Sequence, residues 1–151
     1  MTQLRTFDVS DWLRIADGQA KLPAAFQRMM AAWELVETWK RSKNERLVGD
    51  FFDRHLIPAV RDLDLGNDQE WGLRTETLRA DCPVSVMVGG VSTDEIKTFA
   101  NACDIVNIIG VLYTVRCNLI HGGKTPASRR DLRITTRAAA VTAHFARRLL
   151  Y

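Results

Sequence analysis

"IVNIIGVLYTVRCNLIHGGK", residues 105–124, is the stretch of sequence that decides the fold. Between Ile105 and Tyr113 nearly every side of a helix built from it is apolar. Such a helix lies either at the centre of a core or in a subunit contact. Gly122 and Gly123 adopt left-handed backbone readily, so we expect the helix to end there. The stretch predicts a protein built around one apolar helix.

Three further helices are predicted from apolar residues spaced three and four positions apart. Pro23 is suited to open the first, which we expect to run to about Ser42. The second carries apolar residues from Leu47 to Leu56 and is kinked or ended by Pro58. The apolar face of the final helix comprises Ile134, Ala138, Val141, Phe145 and Leu149.

The segment before the central helix is harder to interpret. "STDE", with Ser92 and Glu95 three residues apart, has the form of a capping box and predicts that the central helix begins there and continues through Ile96. Residues 62–92 are predicted to form an irregular insertion, in which "PVSVMVGG" alternates like a short strand without an evident partner. These patterns together predict a compact, mainly α domain of four principal helices.

Length and composition narrow the classes of function. The 151 residues suit one domain, residues 1–151, and 46% hydrophobic with 26% charged residues is typical of a globular protein. The net charge of +3 permits contact with nucleic acid without establishing it. Cys82, Cys103 and Cys117 are too widely spaced for a metal knuckle, so we expect free thiols, no metal and no cofactor. No apolar run has the length of a signal peptide or a membrane span, which favours a cytoplasmic protein without membrane contact.

The end of the central helix carries the residues with chemical potential. Arg116 is a permanently charged phosphate ligand, Asn118 offers an amide, and His121 titrates near neutral pH. This set suits phosphoryl-ester chemistry. The bare spacing of an arginine and a histidine is common, but here a long apolar helix precedes it and two glycines follow it.

The sequence "YTVRCNLIHGGK" resembles the signature of the HEPN family, an arginine followed after four to six residues by a histidine. The resemblance implies an all-α fold, a four- to five-helix up-and-down bundle. It also implies a homodimer whose two motifs face one cleft and cut RNA without a metal ion. By resemblance, Arg116 holds the scissile phosphate, His121 transfers protons and Asn118 shapes the loop, so that a cyclic phosphate is left.

Further contacts with the RNA substrate are expected from residues around the motif. Lys124 suits a phosphate contact or a solvated loop position, and Tyr113, one turn before Arg116, suits a hydrogen bond into the site or a packing role. Arg130, Arg133 and Arg137 fall at helical spacing, which suits a stripe that follows an RNA backbone. A toxin or phage-defence effector held in check by an antitoxin or another regulatory protein is the expected setting. Family members commonly carry a polar residue directly after the arginine, whereas Cys117 stands there in this chain and the asparagine comes one position later.

Structural interpretations stand beside these functional ones. His121 suits a helix C-terminus, Arg116 suits an ion pair with a carboxylate on a neighbouring helix, and Asn118 suits a helix cap. A stripe of arginines along the last helix is also typical of a solvated face. Trp71 is the tryptophan considered for base stacking, and His55 and His144 are expected to be structural. The rival functions are therefore a non-catalytic HEPN-like module that binds nucleotide or protein, and a structural helical adaptor.

Overall fold

The computed structural model describes residues 23–88, 91–120 and 129–150. These residues are mainly helical, as expected, and they also include a two-stranded antiparallel sheet that the all-α prediction did not contain. None of the helices in the described ranges is both long and apolar enough to cross a bilayer.

The first helix of the described residues, α1, spans Ala24–Ser42 and confirms the predicted bounds. It begins directly after Pro23, whose carbonyl accepts a hydrogen bond from the backbone N–H of Gln27. The side chains that α1 buries lie on one face: Ala25, Phe26, Met29, Ala32, Trp33 and Val36. This face packs mainly against the last helix.

The second helical stretch is interrupted as Pro58 predicted, although it does not end there. Helix α2, Val48–Phe51, passes into a π-helical turn, Phe52–Leu56, and continues as α3, Ile57–Arg61. Proline has no N–H for the carbonyl one turn earlier and its ring crowds that carbonyl, so the wider turn directly before it accommodates the ring.

The prediction of an irregular insertion at 62–92 is wrong. A 3-10 turn at Leu65–Asn67 leads into α4, Gln69–Arg79, which packs on the last helix. Its residue Trp71 is 0% exposed, and the indole N–H donates to the carbonyl of Ala102 at 2.8 Å. The proposed base-stacking role of Trp71 is therefore wrong as well, because a fully buried ring presents no face to a base.

The capping-box prediction at 92–95 is also wrong. Val91–Lys97 form strand β2, which pairs antiparallel with β1, Val84–Val88. The central helix, α5, instead spans Ile105–Ile120. The chain before it is ordered by Asp104, whose carboxylate accepts hydrogen bonds from the backbone N–H of Ala100 and the side chain of Asn107.

Helix α5 lies in the core, which is one of the two positions, core or subunit contact, that its apolar sequence predicts. It contacts α1, α3, both strands and the last helix, α6, Arg129–Leu150. The predicted apolar face of α6 is confirmed, since Ile134, Ala138, Val141 and Phe145 are buried. The residue that the sequence marks as the start of the motif, Arg116, therefore lies on a helix that is packed on several sides.

Candidate functional site

Arg116 lies on the last turn of α5 that the structure describes, four residues before Ile120. Its side chain is 24% exposed, and its terminal nitrogen Nη2 lies 3.8 Å from Oε1 of Glu37 on α1. At that distance the two groups form an ion pair, but they are too far apart for a hydrogen bond. The predicted alternative, a pairing with a carboxylate on a neighbouring helix, is thus observed, and in this pair the guanidinium is held loosely.

Glu37 is fixed from its own helix. The indole Nε1 of Trp33, one turn earlier, donates a hydrogen bond of 3.1 Å to Oε1 of Glu37. Trp33 is 1% exposed, so it holds this carboxylate from within the core. The side chain of Glu37 is 20% exposed. Glu37 therefore stands between a buried indole and a partly exposed guanidinium.

Tyr113 lies one turn before Arg116 and packs among aromatic rings. The centroid of its ring is 5.8 Å from that of Trp33 and 5.3 Å from that of Phe52. Burial, together with the thiol of Cys117, raises the pKa of the Tyr113 hydroxyl to about 12. The hydroxyl is therefore neutral and able to donate a hydrogen bond at physiological pH.

Asn118 faces the hairpin and not the arginine. Its side chain is buried at 2% exposure; its Nδ2 donates to the carbonyl of Ser85 at 2.8 Å and its Oδ1 accepts from the N–H of Met87 at 3.1 Å. Residues two apart on a helix point about 200° apart around the axis. The structure therefore brings Tyr113 and Arg116 together and turns Asn118 away from them, where it binds the backbone of β1.

The other half of the motif, His121, Gly122, Gly123 and Lys124, lies outside the described residues. Their predicted roles, and the predicted end of the helix at the glycines, stay predictions. The structure does show the chain directly before them: α5 extends through Ile120, the residue that precedes His121.

Arg130 and Arg133, predicted to contact RNA, meet the end of α4. Arg130 donates to the carbonyls of Asp81 and Pro83 at 3.2 and 3.0 Å. The Nε of Arg133 donates to Oδ1 of Asp81 at 2.8 Å, and Arg137 donates to the other carboxylate oxygen at 2.7 Å. These arginines hold the start of α6 to the chain after α4. The side chain of Arg133 is still 46% exposed, so this anchoring leaves part of it open to solvent.

Comparison of the chain with protein-family models, with curated proteins and with solved structures finds no match. The assignment of the site therefore rests on side-chain chemistry and geometry: a loosely paired guanidinium, an oriented carboxylate and a neutral hydroxyl. Within the described ranges, no group of three histidine, cysteine, aspartate or glutamate side chains is arranged to hold a metal ion.

The two described histidines make structural contacts, as expected. His144 is buried, and its Nε2 lies 2.7 Å from Oδ2 of Asp68 at the start of α4. His55 stacks on Phe51, and its Nε2 lies 3.2 Å from Oε1 of Glu45. Neither of these contacts involves Arg116.

Glu37 is the residue of the site that the sequence did not reveal. It stands in "WELVET", where Glu34 and Glu37 flank the same apolar positions and nothing in the pattern separates them. A signal did exist in the four-residue spacing between Trp33 and Glu37, which places an indole donor and a carboxylate on one helix face. This pair belongs to the site only because Glu37 lies beside Arg116 of α5, a helix that is distant in the sequence.

Proposed function

We propose that the protein is a metal-independent endoribonuclease of HEPN type, with the up-and-down bundle of that family and a homodimeric cleft. The observation that carries the proposal is the placement of Arg116. It lies on the last described turn of a core helix, directly before the His121 segment, and its partly exposed guanidinium is held by Glu37 at 3.8 Å. A phosphate that offers shorter, charge-assisted hydrogen bonds competes well with such a pair.

In the proposed reaction, Arg116 binds the scissile phosphate and stabilises the charge that develops on it. His121 supplies proton transfer, and the ribose 2′-hydroxyl attacks to leave a cyclic phosphate. General acid–base catalysis contributes about 10² to 10⁴ in rate, and electrostatic stabilisation adds to it. Tyr113, neutral beside Arg116, is suited to donate a hydrogen bond to a phosphate oxygen.

Asn118 takes a positioning role in this proposal. Both ends of its amide bind the backbone of β1, so it fixes the final turns of α5 against the hairpin. A site carried on a rigid element holds its groups more accurately than one carried on a loop. Asn118 thereby contributes to the motif through the position of the helix and without contact with RNA.

The RNA strand is proposed to run from this cleft over basic side chains, among them Lys124 and the exposed parts of Arg130 and Arg133. Such contacts with phosphates give affinity that does not depend on sequence. A nuclease of this kind suits a toxin or phage-defence effector, and an antitoxin or another regulatory protein is the partner that we propose for its control.

The test is cleavage of mixed cellular RNA by purified protein in excess EDTA, beside Arg116→Ala and His121→Ala. Arg54→Ala is the matched control, because Arg54 is an exposed arginine that pairs with Glu45 elsewhere on the surface. We expect cleavage by wild type and by the control, with cyclic-phosphate ends, and its loss in both motif variants with their folds intact. Absence of cleavage by wild type, together with binding of nucleotide or protein, would identify a non-catalytic module instead.

A further inference from the structure

We propose that Glu37 is the general base of the reaction and takes the proton from the attacking 2′-hydroxyl. The inference rests on the proposed function and deepens it, because it names a catalytic residue outside the arginine–histidine motif. Glu37 lies on α1, and the structure, not the sequence, brings it to Arg116.

The distance between the two groups suits this role. The guanidinium assigned to the phosphate lies 3.8 Å from the carboxylate of Glu37, and the two side chains are 24% and 20% exposed. In this proposal, a phosphodiester bound at Arg116 brings the 2′-oxygen of the adjoining ribose, carried on the carbon next to the one that bears the phosphoester, beside the carboxylate. A general base must come within hydrogen-bond reach of the proton that it removes.

The carboxylate is also oriented before substrate arrives. Trp33, nearly fully buried, donates to Oε1 of Glu37, and Arg116 faces the same oxygen. We assign proton abstraction to the second oxygen, Oε2. The titratable and charged groups of α5 that face this region are Tyr113, Arg116 and Cys117. Arg116, Cys117 and Glu37 each influence the pKa of the Tyr113 hydroxyl.

The step balances without any further reactant. The 2′-hydroxyl proton passes to the carboxylate of Glu37, the 2′-oxygen forms a bond to phosphorus, and the bond from phosphorus to the 5′-oxygen breaks. The leaving 5′-oxygen takes a proton from the general acid, the role given to His121 in the proposed function. Proton exchange with water restores both groups. The products are a 2′,3′-cyclic phosphate and a 5′-hydroxyl.

A purely structural ion pair is the competing explanation. Partly exposed pairs contribute little to stability, and this one does not reach hydrogen-bond distance. A purely positioning role, in which Glu37 only orients the guanidinium, differs in one measurable respect. Loss of a positioning residue weakens the binding of any phosphodiester at Arg116, whereas loss of a base impairs the chemical step alone.

The test compares wild type with Glu37→Gln, which keeps an oxygen acceptor for the Trp33 indole and removes the base. Glu34→Gln is the matched control on the same helix, because Glu34 is an exposed glutamate paired with Arg41. The substrates are RNA and ribonucleoside 3′-(4-nitrophenyl phosphates), whose leaving group needs no general acid. We expect Glu37→Gln to lose about 10²-fold or more of kcat/KM on both, and to lose the acid limb of the pH profile.

Two further measurements separate the explanations. A 2′-deoxy oligonucleotide, which binds but lacks the nucleophile, should bind Glu37→Gln at least as tightly as wild type if Glu37 is the base, because the substitution removes a negative charge that competes with the phosphate for Arg116. Weaker binding by Glu37→Gln, at unchanged pH dependence, would assign Glu37 to positioning and overturn the proposal. Glu37→Asp keeps a carboxylate and should restore part of the lost rate, which a structural role for the glutamate does not predict.

The failures are distinguishable. If wild type cleaves both substrates and Glu37→Gln stays within about a factor of three of it, the base assignment is overturned and the proposed function stands. If wild type cleaves neither RNA nor the nitrophenyl esters, the proposed function is overturned and the base assignment falls with it.

Discussion

At the scale of single residues, Asp68 shows how one carboxylate joins two helices. It accepts hydrogen bonds from the backbone N–H of Trp71 at 3.0 Å and from Arg148 at 3.0 Å, and it lies 2.7 Å from the imidazole of His144. The Trp71 N–H, and then His144, lower the pKa of Asp68 from 3.8 to about 2. Asp68 therefore caps α4 and ties it to the end of α6.

This gives a prediction for stability at low pH. A carboxylate with a lowered pKa stabilises the folded state above its unfolded pKa, and the contribution is lost as pH falls through the folded pKa. For Asp68 that window runs from about 3.8 down to about 2. Asp68→Asn keeps an acceptor for the Trp71 N–H but cannot titrate. In urea unfolding, the free energy of unfolding of wild type should exceed that of Asp68→Asn at pH 6, and the difference should close towards pH 2. A difference that stays constant with pH would contradict this prediction.

Asn118 gives a second prediction at this scale. Asn118→Leu leaves the carbonyl of Ser85 and the N–H of Met87 without their partner, and an unsatisfied backbone group costs about 1–3 kcal/mol. We expect a loss of that size in the free energy of unfolding, measured in urea. Val106→Leu, at an exposed site on the same helix, is the control and should change it by less than about 1 kcal/mol. Equal losses would show that the hairpin contact is not the cause.

The residue scale also shows how much of the site could be predicted. Arg116 and Tyr113 lie together because residues three apart share a helix face. This was predictable, since the apolar pattern predicts the helix. Glu37 was not predictable as their neighbour, because its proximity depends on how α1 packs. For Asn118, the sequence showed that an amide was present but not that it faces the hairpin.

At the scale of elements, long periodic helices were predictable and short ones were not. The bounds of α1 and the apolar face of α6 follow from spacings of three and four over many turns. Helix α4 escaped prediction because it buries only three side chains, Trp71, Thr75 and Leu78, within a polar sequence. The pattern at Ser92 to Glu95 fits a capping box, but β1 pairs with this segment, and a tertiary contact of that kind overrides a local pattern.

The junction between α4 and α6 gives a prediction at this scale. Asp81 is nearly buried and receives hydrogen bonds from Arg133 and Arg137. Asp81→Asn removes the charge that both guanidinium groups face, and we expect a loss of about 1–3 kcal/mol in urea unfolding. The arginines are partly exposed, so water relieves some of the penalty for the unpaired charges. Asp53→Asn, at an exposed position of the π-helical turn, is the control, and an equal loss there would contradict the assignment.

The same junction bears on the two arginines predicted to contact RNA. Because Arg130 and Arg133 anchor α6, variants at these positions remove a structural hydrogen bond as well as any RNA contact. A test of their role in binding therefore compares the salt dependence of RNA affinity, since each phosphate contact that is lost reduces that slope. Loss of affinity without a change in slope would point to a structural effect.

At the scale of the whole molecule, Arg116 is carried on a core helix, and the proposed cleft takes its groups from two chains. Helix α5 is packed by helices on one side and the hairpin on another, which leaves Arg116 near the surface at its end. In the proposed homodimer, each cleft takes its groups from two such ends. The activity of one subunit should then depend on the motif of its partner.

A mixing experiment tests that dependence. A fixed amount of wild type is incubated with increasing Arg116→Ala, long enough for subunits to exchange, and cleavage of RNA is followed in EDTA. Because heterodimers contribute only one intact motif to the shared cleft, we expect activity to fall as the variant is added. Addition of Arg54→Ala, altered on a different part of the surface, should not lower it. If the activity of the fixed wild type stays constant under excess Arg116→Ala while exchange is shown by size or mass, each chain cuts RNA alone and the shared cleft is wrong.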